Sequence, residues 1–203
     1  MTTPPGWDTV YAPDAAPPPW DIGRPQPAFV RLADRGLLSG RLLDAGCGTG
    51  EHALLAAARG ADAMGVDISP RAIAKARDKA AERGLPARFE VTDVLSLGQL
   101  GMTFDTVIDS GVFHVFDDED RARYVASLAS VLRSGGICYL MCFSDLQEGT
   151  FGPRRVHKDE IVSAFSGGWI VADIAPEEFE VNAGPVTAGG RAARAWLATI
   201  RRL

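Results

Sequence analysis

The chain has 203 residues, of which 46% are hydrophobic and 23% charged, and its formal net charge is −5. Those values suit one globular unit with a sizeable core. The absence of a basic run argues against a nucleic-acid partner, and no apolar stretch reaches the roughly 18 residues of a membrane helix.

Residues 1–27 stand apart. Eight of the 13 prolines lie there, with Trp7, Tyr11 and Trp20 among them. Proline removes a backbone donor and fixes φ, so helix and sheet are not expected. The segment is either a disordered tail or an extended lid docked through its aromatics. It has neither the basic n-region nor the apolar h-region of a secretory leader.

"PQPAFVRLADRG" then sets Phe29, Leu32 and Ala33 on one helical face, with Gly36 to end it. "RLLDAG" reads as a first strand, "EHALLAAARG" as a helix and "ADAMGVDI" as a second strand. "SPRAIAKARDKAAERG" carries a Ser69 N-cap, Pro70 in the first turn and a terminal Gly84. "ARFEVTDV" and "FDTVIDSG" read as the third and fourth strands. "DDEDRARYVASLASVLRSGG" is expected to be one long helix, acidic at its start and with Arg133 near its last turn. "GICYLMCFS" is apolar nearly throughout, as a strand buried on both faces should be. "HKDEIVSAFSGG" is a helix, "WIVADIAPEEFEVN" a strand, and "RAARAWLATIRR" a last strand or short helix.

Cys138 and Cys142 are four apart in that fifth strand, about 13 Å at ~3.3 Å per residue, too far for a disulfide. With Cys47 they are expected to be reduced and the chain cytoplasmic. Strands alternating with helices predict a single α/β domain over residues 1–203, with a doubly wound parallel sheet. Ligands bind such sheets beyond the carboxyl ends of the strands.

At that edge the sequence places "DAGCGTG". Asp44 is followed by Ala45, Gly46, Cys47, Gly48 and Gly50, just where a strand gives way to a helix. Glycine inside an element costs about 0.5–1 kcal/mol relative to alanine, so three in a row signal a turn or a close backbone approach. The free N–H groups of the helix start face the same place. The spacing G-x-G-x-G is neither the dinucleotide fingerprint nor the phosphate loop.

Asp67 closes the second strand and Asp93 the third, beside Ile68 and Val94. A base between aliphatics, a ribose on Asp67 and an amino group facing acids would account for them together. The alternative is that each Asp caps the turn that follows it.

In "DSGVFHVF", after the fourth strand, His114 lies in an apolar run with Phe113, Val115 and Phe116. It either acts on a second substrate or is a packed histidine. Burial there should depress its pKa. His52 and His157 fit helix-start contacts, and three scattered histidines make no metal site. Arg154 and Arg155 lie in "SDLQEGTFGPRRVHKDE", either meeting an anionic ligand or solvated.

Together, "LLDAGCGTGEHALLAA…GVDIS…VTDV…FDTVIDSGVFHVF…LASVLRSGGICYL" resembles a class I S-adenosylmethionine-dependent methyltransferase. The resemblance implies a seven-stranded Rossmann-like sheet in the order 3-2-1-4-5-7-6, with the last strand antiparallel and supplied by "RAARAWLATIRRL". It implies S-adenosyl-L-methionine as cofactor and S-adenosyl-L-homocysteine as product. Asp44, Ala45, Gly46, Cys47, Gly48 and Gly50 would hold the methionine end, with Ser110 at the fourth strand's end. Asp67 would take the ribose hydroxyls, Ile68 and Val94 would pack the adenine, and Asp93 would bind its amino group.

The Trp-Asp-x-Gly-x-x-Gln-Pro segment "WDIGRPQP" is similar to the lid of thiopurine-type and actinobacterial heterocyclic-toxin methyltransferases. That makes Trp20 a shield over the sulfonium and implies a small aromatic acceptor, a hydroxyquinolone, quinol or phenol, methylated at O, N or S. His114 would be its catalytic residue, by taking the acceptor's proton or holding its oxygen. An acceptor that ionises by itself needs no strong base. The expected partners are that small molecule alone, without nucleic acid or membrane, in a monomer or homodimer. Two other functions fit a similar sheet: a nucleotide-dependent oxidoreductase, and a module that binds S-adenosylmethionine without transferring its methyl.

Overall fold

A computed structural model of the chain describes residues 6–149, 152–182 and 192–203. Residues 1–5 of the Pro-rich segment, Thr150 and Phe151 of the loop after the fifth strand, and Arg191 at the head of the last segment lie outside them.

The strands are β1 (Arg41–Ala45), β2 (Asp62–Asp67), β3 (Arg88–Val91), β4 (Phe104–Ser110), β5 (Leu132–Phe143), β6 (Trp169–Glu180) and β7 (Ala192–Arg202). They form one sheet in the order β3-β2-β1-β4-β5-β7-β6. The first five are parallel to one another, and β7 runs antiparallel to both β5 and β6. The strand order reverses between β1 and β4, and in such sheets a ligand crevice is expected beyond the carboxyl ends of the strands at that point.

The helices are α1 (Trp7–Val10), α2 (Pro27–Asp34), α3 (Glu51–Ala58), α4 (Pro70–Arg83), α5 (Asp118–Val131) and α6 (Lys158–Ala164). Side chains alternate across each strand, so neighbouring apolar residues feed opposite faces of the sheet. Leu43 and Val107 pack with Tyr124 and Leu128 of α5, whereas Leu42 and Ile108 pack with Phe29 and Leu32 of α2. Each such side chain contributes about 1.5–3 kcal/mol by its burial. At the start of α4 the Ser69 hydroxyl accepts the Ala72 N–H at 3.1 Å, and the helix ends on Gly84 in left-handed geometry, φ 61°.

Two expectations need correction. The long helix stops at Val131, because Leu132 is already extended (φ −89°, ψ 121°) and pairs with Phe104 of β4. Arg133 therefore belongs to β5, where it pairs with Asp105. The Pro-rich segment is not free of helix either: α1 forms one turn in its proline-free stretch, with the Thr9 N–H donating to the Gly6 carbonyl at 2.7 Å. The last segment is a strand.

Candidate active site

The three acids at the carboxyl edge all accept backbone N–H groups. Buried Asp44 accepts from Ala53 in α3 at 3.1 Å. Asp67 takes Gly48 on one oxygen and Ser69 on the other, both at 2.9 Å, so it ties the loop after β1 to the turn after β2. Asp93, two residues beyond β3 and exposed, caps the 3-10 turn Val94–Leu100 through the Leu95 N–H at 2.9 Å. The capping reading thus describes what these carboxylates do within the protein. Burial raises Asp44 to about 7 against its one hydrogen bond, and raises Asp67 against its backbone donors.

The glycine loop is shaped by close approach. Gly46 has φ 69°, and a Cβ there would collide with Cγ2 of Val112. At Gly48 a Cβ would sit 3.0 Å from the Tyr11 hydroxyl. Ala45 and Cys47 are buried, Gly50 is the N-cap of α3, and Ser110 ends β4 half-buried. Ile68 and Val91 are 48% and 49% exposed, two aliphatics side by side with the acids, while Val94 is buried. A helix start with free N–H groups, a loop whose bare glycines admit a ligand, a carboxylate with unused lone pairs at Asp67 and an uncovered apolar surface at Ile68 fit S-adenosylmethionine.

Over this loop lies the N-terminal segment. Asp8 accepts the Ser69 hydroxyl at 2.8 Å and the Arg71 N–H at 2.9 Å. Asp21 accepts the Thr49 hydroxyl at 3.1 Å, and Asn182 donates to the Pro18 and Asp21 carbonyls. Tyr11, only 4% exposed, is the residue that meets the glycine loop. Trp20 stands outside it, 45% exposed, donating from Nε1 to the Tyr11 oxygen at 3.1 Å and meeting Trp7 edge-on at 5.9 Å. Of the three aromatics expected to dock the segment, Tyr11 is the one buried against the loop.

Across the crevice the site is built from β4 and β5. Asp109, fully buried, accepts the Val112 N–H at 2.8 Å, the Phe113 N–H at 3.1 Å and the Tyr124 hydroxyl at 3.1 Å. Burial lifts it to about 7 against these donors. It pins the turn that carries the short 3-10 helix Phe113–Val115. Asp109 was not singled out from the sequence, although it repeats the signal of Asp44 and Asp67, an acid at a strand's carboxyl end.

His114 is buried, its ring 4.9 Å from that of Phe143 and 6.0 Å from that of Phe179. Its Nδ1 accepts the Phe143 N–H at 2.9 Å. Burial, and then the Arg155 and Arg121 cations, push its pKa down to about 3.

The other candidates have local partners. His52 accepts the Gln26 N–H on Nε2 at 3.1 Å and packs against Phe29. His157 is the N-cap of α6 and lies 3.2 Å from Asp145. Arg154 pairs with Asp118 and Glu160. Arg155 lies over the Phe143 ring at 5.3 Å and donates to the Gln147 and Pro153 carbonyls. Among the described residues no cluster of His, Cys, Asp and Glu suits a metal, and no helix is long and apolar enough to cross a membrane.

Comparisons with known proteins agree with this layout. A family model described as a methyltransferase domain matches residues 42–136. The chain is 37% identical over 179 residues to the 2-heptyl-1-hydroxyquinolin-4(1H)-one methyltransferase of Mycobacteroides abscessus, covering 87% of this chain and 79% of that one. A solved structure from work on the conversion of a disulfide bond into a thioacetal group during echinomycin biosynthesis is 38% identical with a TM-score of 0.85, covering 96% of this chain and 91% of that one. The magnesium protoporphyrin IX methyltransferase of Synechocystis PCC 6803 with bound S-adenosylmethionine superimposes with a TM-score of 0.64 at 25% identity, over 86% of this chain and 76% of that one. On these grounds the chain belongs to the S-adenosylmethionine-dependent methyltransferases.

Proposed function

We propose that the enzyme methylates a heteroatom, most simply an oxygen, of a small aromatic heterocycle or phenol. The observation that carries this reading is the packed cluster of His114, Phe143 and Phe179 near the carboxyl ends of β4, β5 and β6, three aromatic rings with one polar edge among them. The hydroxyquinolone methyltransferase it resembles supports the same class of acceptor.

Asp67, Gly46 and Gly48, with Ile68 and Val94 beside them, would hold the cofactor, and Asp93 would reach its amino group. When bound, S-adenosylmethionine supplies an electrophilic sulfonium methyl. The protein's part is to align the acceptor heteroatom with that methyl and to exclude water. Orientation of this kind is worth about 7–11 kcal/mol. Residues 1–27 would serve as the lid, with Tyr11 against the glycine loop and Trp20 outside it.

The test is a panel of hydroxyquinolines, other hydroxylated heterocycles, phenols and aliphatic alcohols, read by S-adenosylhomocysteine release and by mass of the product. Aromatic acceptors should be methylated and aliphatic alcohols should not. Turnover confined to aliphatic acceptors would sink the reading.

A further inference from the structure

Which nitrogen of His114 carries the proton decides what this residue does. A backbone N–H only donates, so the Phe143 N–H held at 2.9 Å requires a lone pair on Nδ1. The neutral ring must then carry its proton on Nε2. That edge lies beside Gly111, where a Cβ would stand 3.5 Å from Nε2. Gly111 has φ 95°, a conformation that favours glycine, so no side chain of its own stands against that nitrogen. A ring fixed in this tautomer has no lone pair facing outward with which to take a proton.

We propose that His114 is a hydrogen-bond donor to an acceptor that is already anionic, and that the enzyme selects aromatic acceptors by the acidity of their hydroxyl group. This rests on the reading that the acceptor is a small aromatic molecule.

The electrostatics around the ring agree. Phe143 and Phe179 press on it, and the charged groups that reach it are the Arg155 and Arg121 guanidiniums, both of which favour an anion nearby. Burial disfavours the charged imidazolium and so favours the neutral ring. Neither remaining histidine offers a base, since His52 is committed to Gln26 and His157 to the start of α6. Residues 150–151 and 183–191 contain no carboxylate, imidazole or thiol side chain.

The step then balances without a proton transfer to the protein. The acceptor anion gives its electron pair to the methyl carbon, the carbon–sulfur pair leaves with sulfur as a neutral thioether, and the product ether is neutral. The hydroxyl proton was lost to solvent before binding. The Nε2–H holds the oxygen in line, and the Phe143 N–H is what positions Nε2.

Three measurements decide the matter. Nitrogen-15 NMR of the imidazoles, with His114 assigned by its absence in His114→Asn, should show a protonated Nε2 and a bare Nδ1 from pH 5 to 8. A bare Nε2, or a cationic ring near neutrality, would overturn the proposal, and this readout requires no acceptor.

The second uses 4-nitrophenol, whose ionised form absorbs visible light, bound with S-adenosylhomocysteine. Its apparent pKa should fall on binding to the native enzyme. It should fall much less on binding to His114→Asn, which can still accept the Phe143 N–H but has no donor at the far end. His114→Gln, which places an amide donor near the Nε2 position, should recover part of the shift.

With a series of phenols, the pH at which kcat/KM levels off should follow each phenol's own pKa. His114→Asn should lower kcat/KM by about 10–100-fold, the loss expected for a hydrogen bond to a charged group. A single pH midpoint shared by all phenols, with equal turnover of weakly acidic ones, would make His114 a base and refute the proposal. If the NMR result holds but no aromatic compound binds or reacts, the donor assignment stands, while the aromatic-acceptor reading and the acidity selection built on it fail.

Discussion

The two sides of the crevice bury the same pair of groups and use them differently. On the side of β1 these are Asp44 and His52, and on the side of β4 they are Asp109 and His114. Each carboxylate is raised to about 7 by burial, and each imidazole is depressed, His52 to about 4 and His114 to about 3. Each imidazole also accepts one backbone N–H. His52 spends Nε2 on Gln26, so its tip is turned into the packing against Phe29. His114 spends Nδ1 on Phe143, which leaves Nε2 as its donor edge. Burial and neutrality are common to the two histidines; what differs is the nitrogen that is tied down.

Cofactor binding is proposed for the first side, and Asp67→Ala tests it hardest. Loss of a charged acceptor costs about 1.5–3 kcal/mol, so S-adenosylmethionine should bind roughly 10–150-fold more weakly. Calorimetry on the folded variant measures this directly, and unchanged affinity would move the ribose away from Asp67.

Gly46→Ala strikes the joint between the two sides, since its new methyl would meet Val112 in the acceptor-side turn and would force a left-handed alanine. A stability loss of about 1–3 kcal/mol is expected in urea unfolding. Cofactor affinity and acceptor kcat/KM should fall together. If only one falls, the two sides are not coupled through this contact.

The smallest effect in the native protein is its pH dependence, because the two kinds of group oppose each other. Asp44 and Asp109 have folded values above the ordinary 3.8, so the native state holds protons there that the unfolded chain has lost, and stability falls from about pH 4 to 7. His52 and His114 lie below the ordinary 6.5, so the unfolded chain binds the extra protons, and stability rises up to about pH 6.5. Two rising and two falling contributions overlap between about pH 4 and 6.5 and nearly cancel.

Variants separate them. The stability of the native protein relative to His114→Asn should climb with pH over that window, and relative to Asp109→Asn it should decline. Each slope is at most about 1.4 kcal/mol per pH unit. Slopes of the same sign would contradict the comparison.

Much of this was legible in the order of residues. Glycine spacing, the acid at each strand end, the Ser69-Pro70 start and the apolar alternation of Leu42 and Leu43 report local backbone preference and periodicity, and these act over a few residues. They were enough for six strands, with the seventh strand and the order supplied by the resemblance. Where the long helix ends was not legible, because Leu132 leaves it to pair with Phe104, 28 residues away in the chain. Nor was it legible which aromatic would be buried: the Tyr11 hydroxyl accepts from Trp20 and stands against Gly48 once the segment folds back. His114 could be picked out by its position after β4, but its tautomer is set by the N–H of Phe143, 29 residues on, which the parallel pairing of β4 with β5 brings into reach. Short-range spacing named the groups; long-range pairing decided which of their atoms remain free to react.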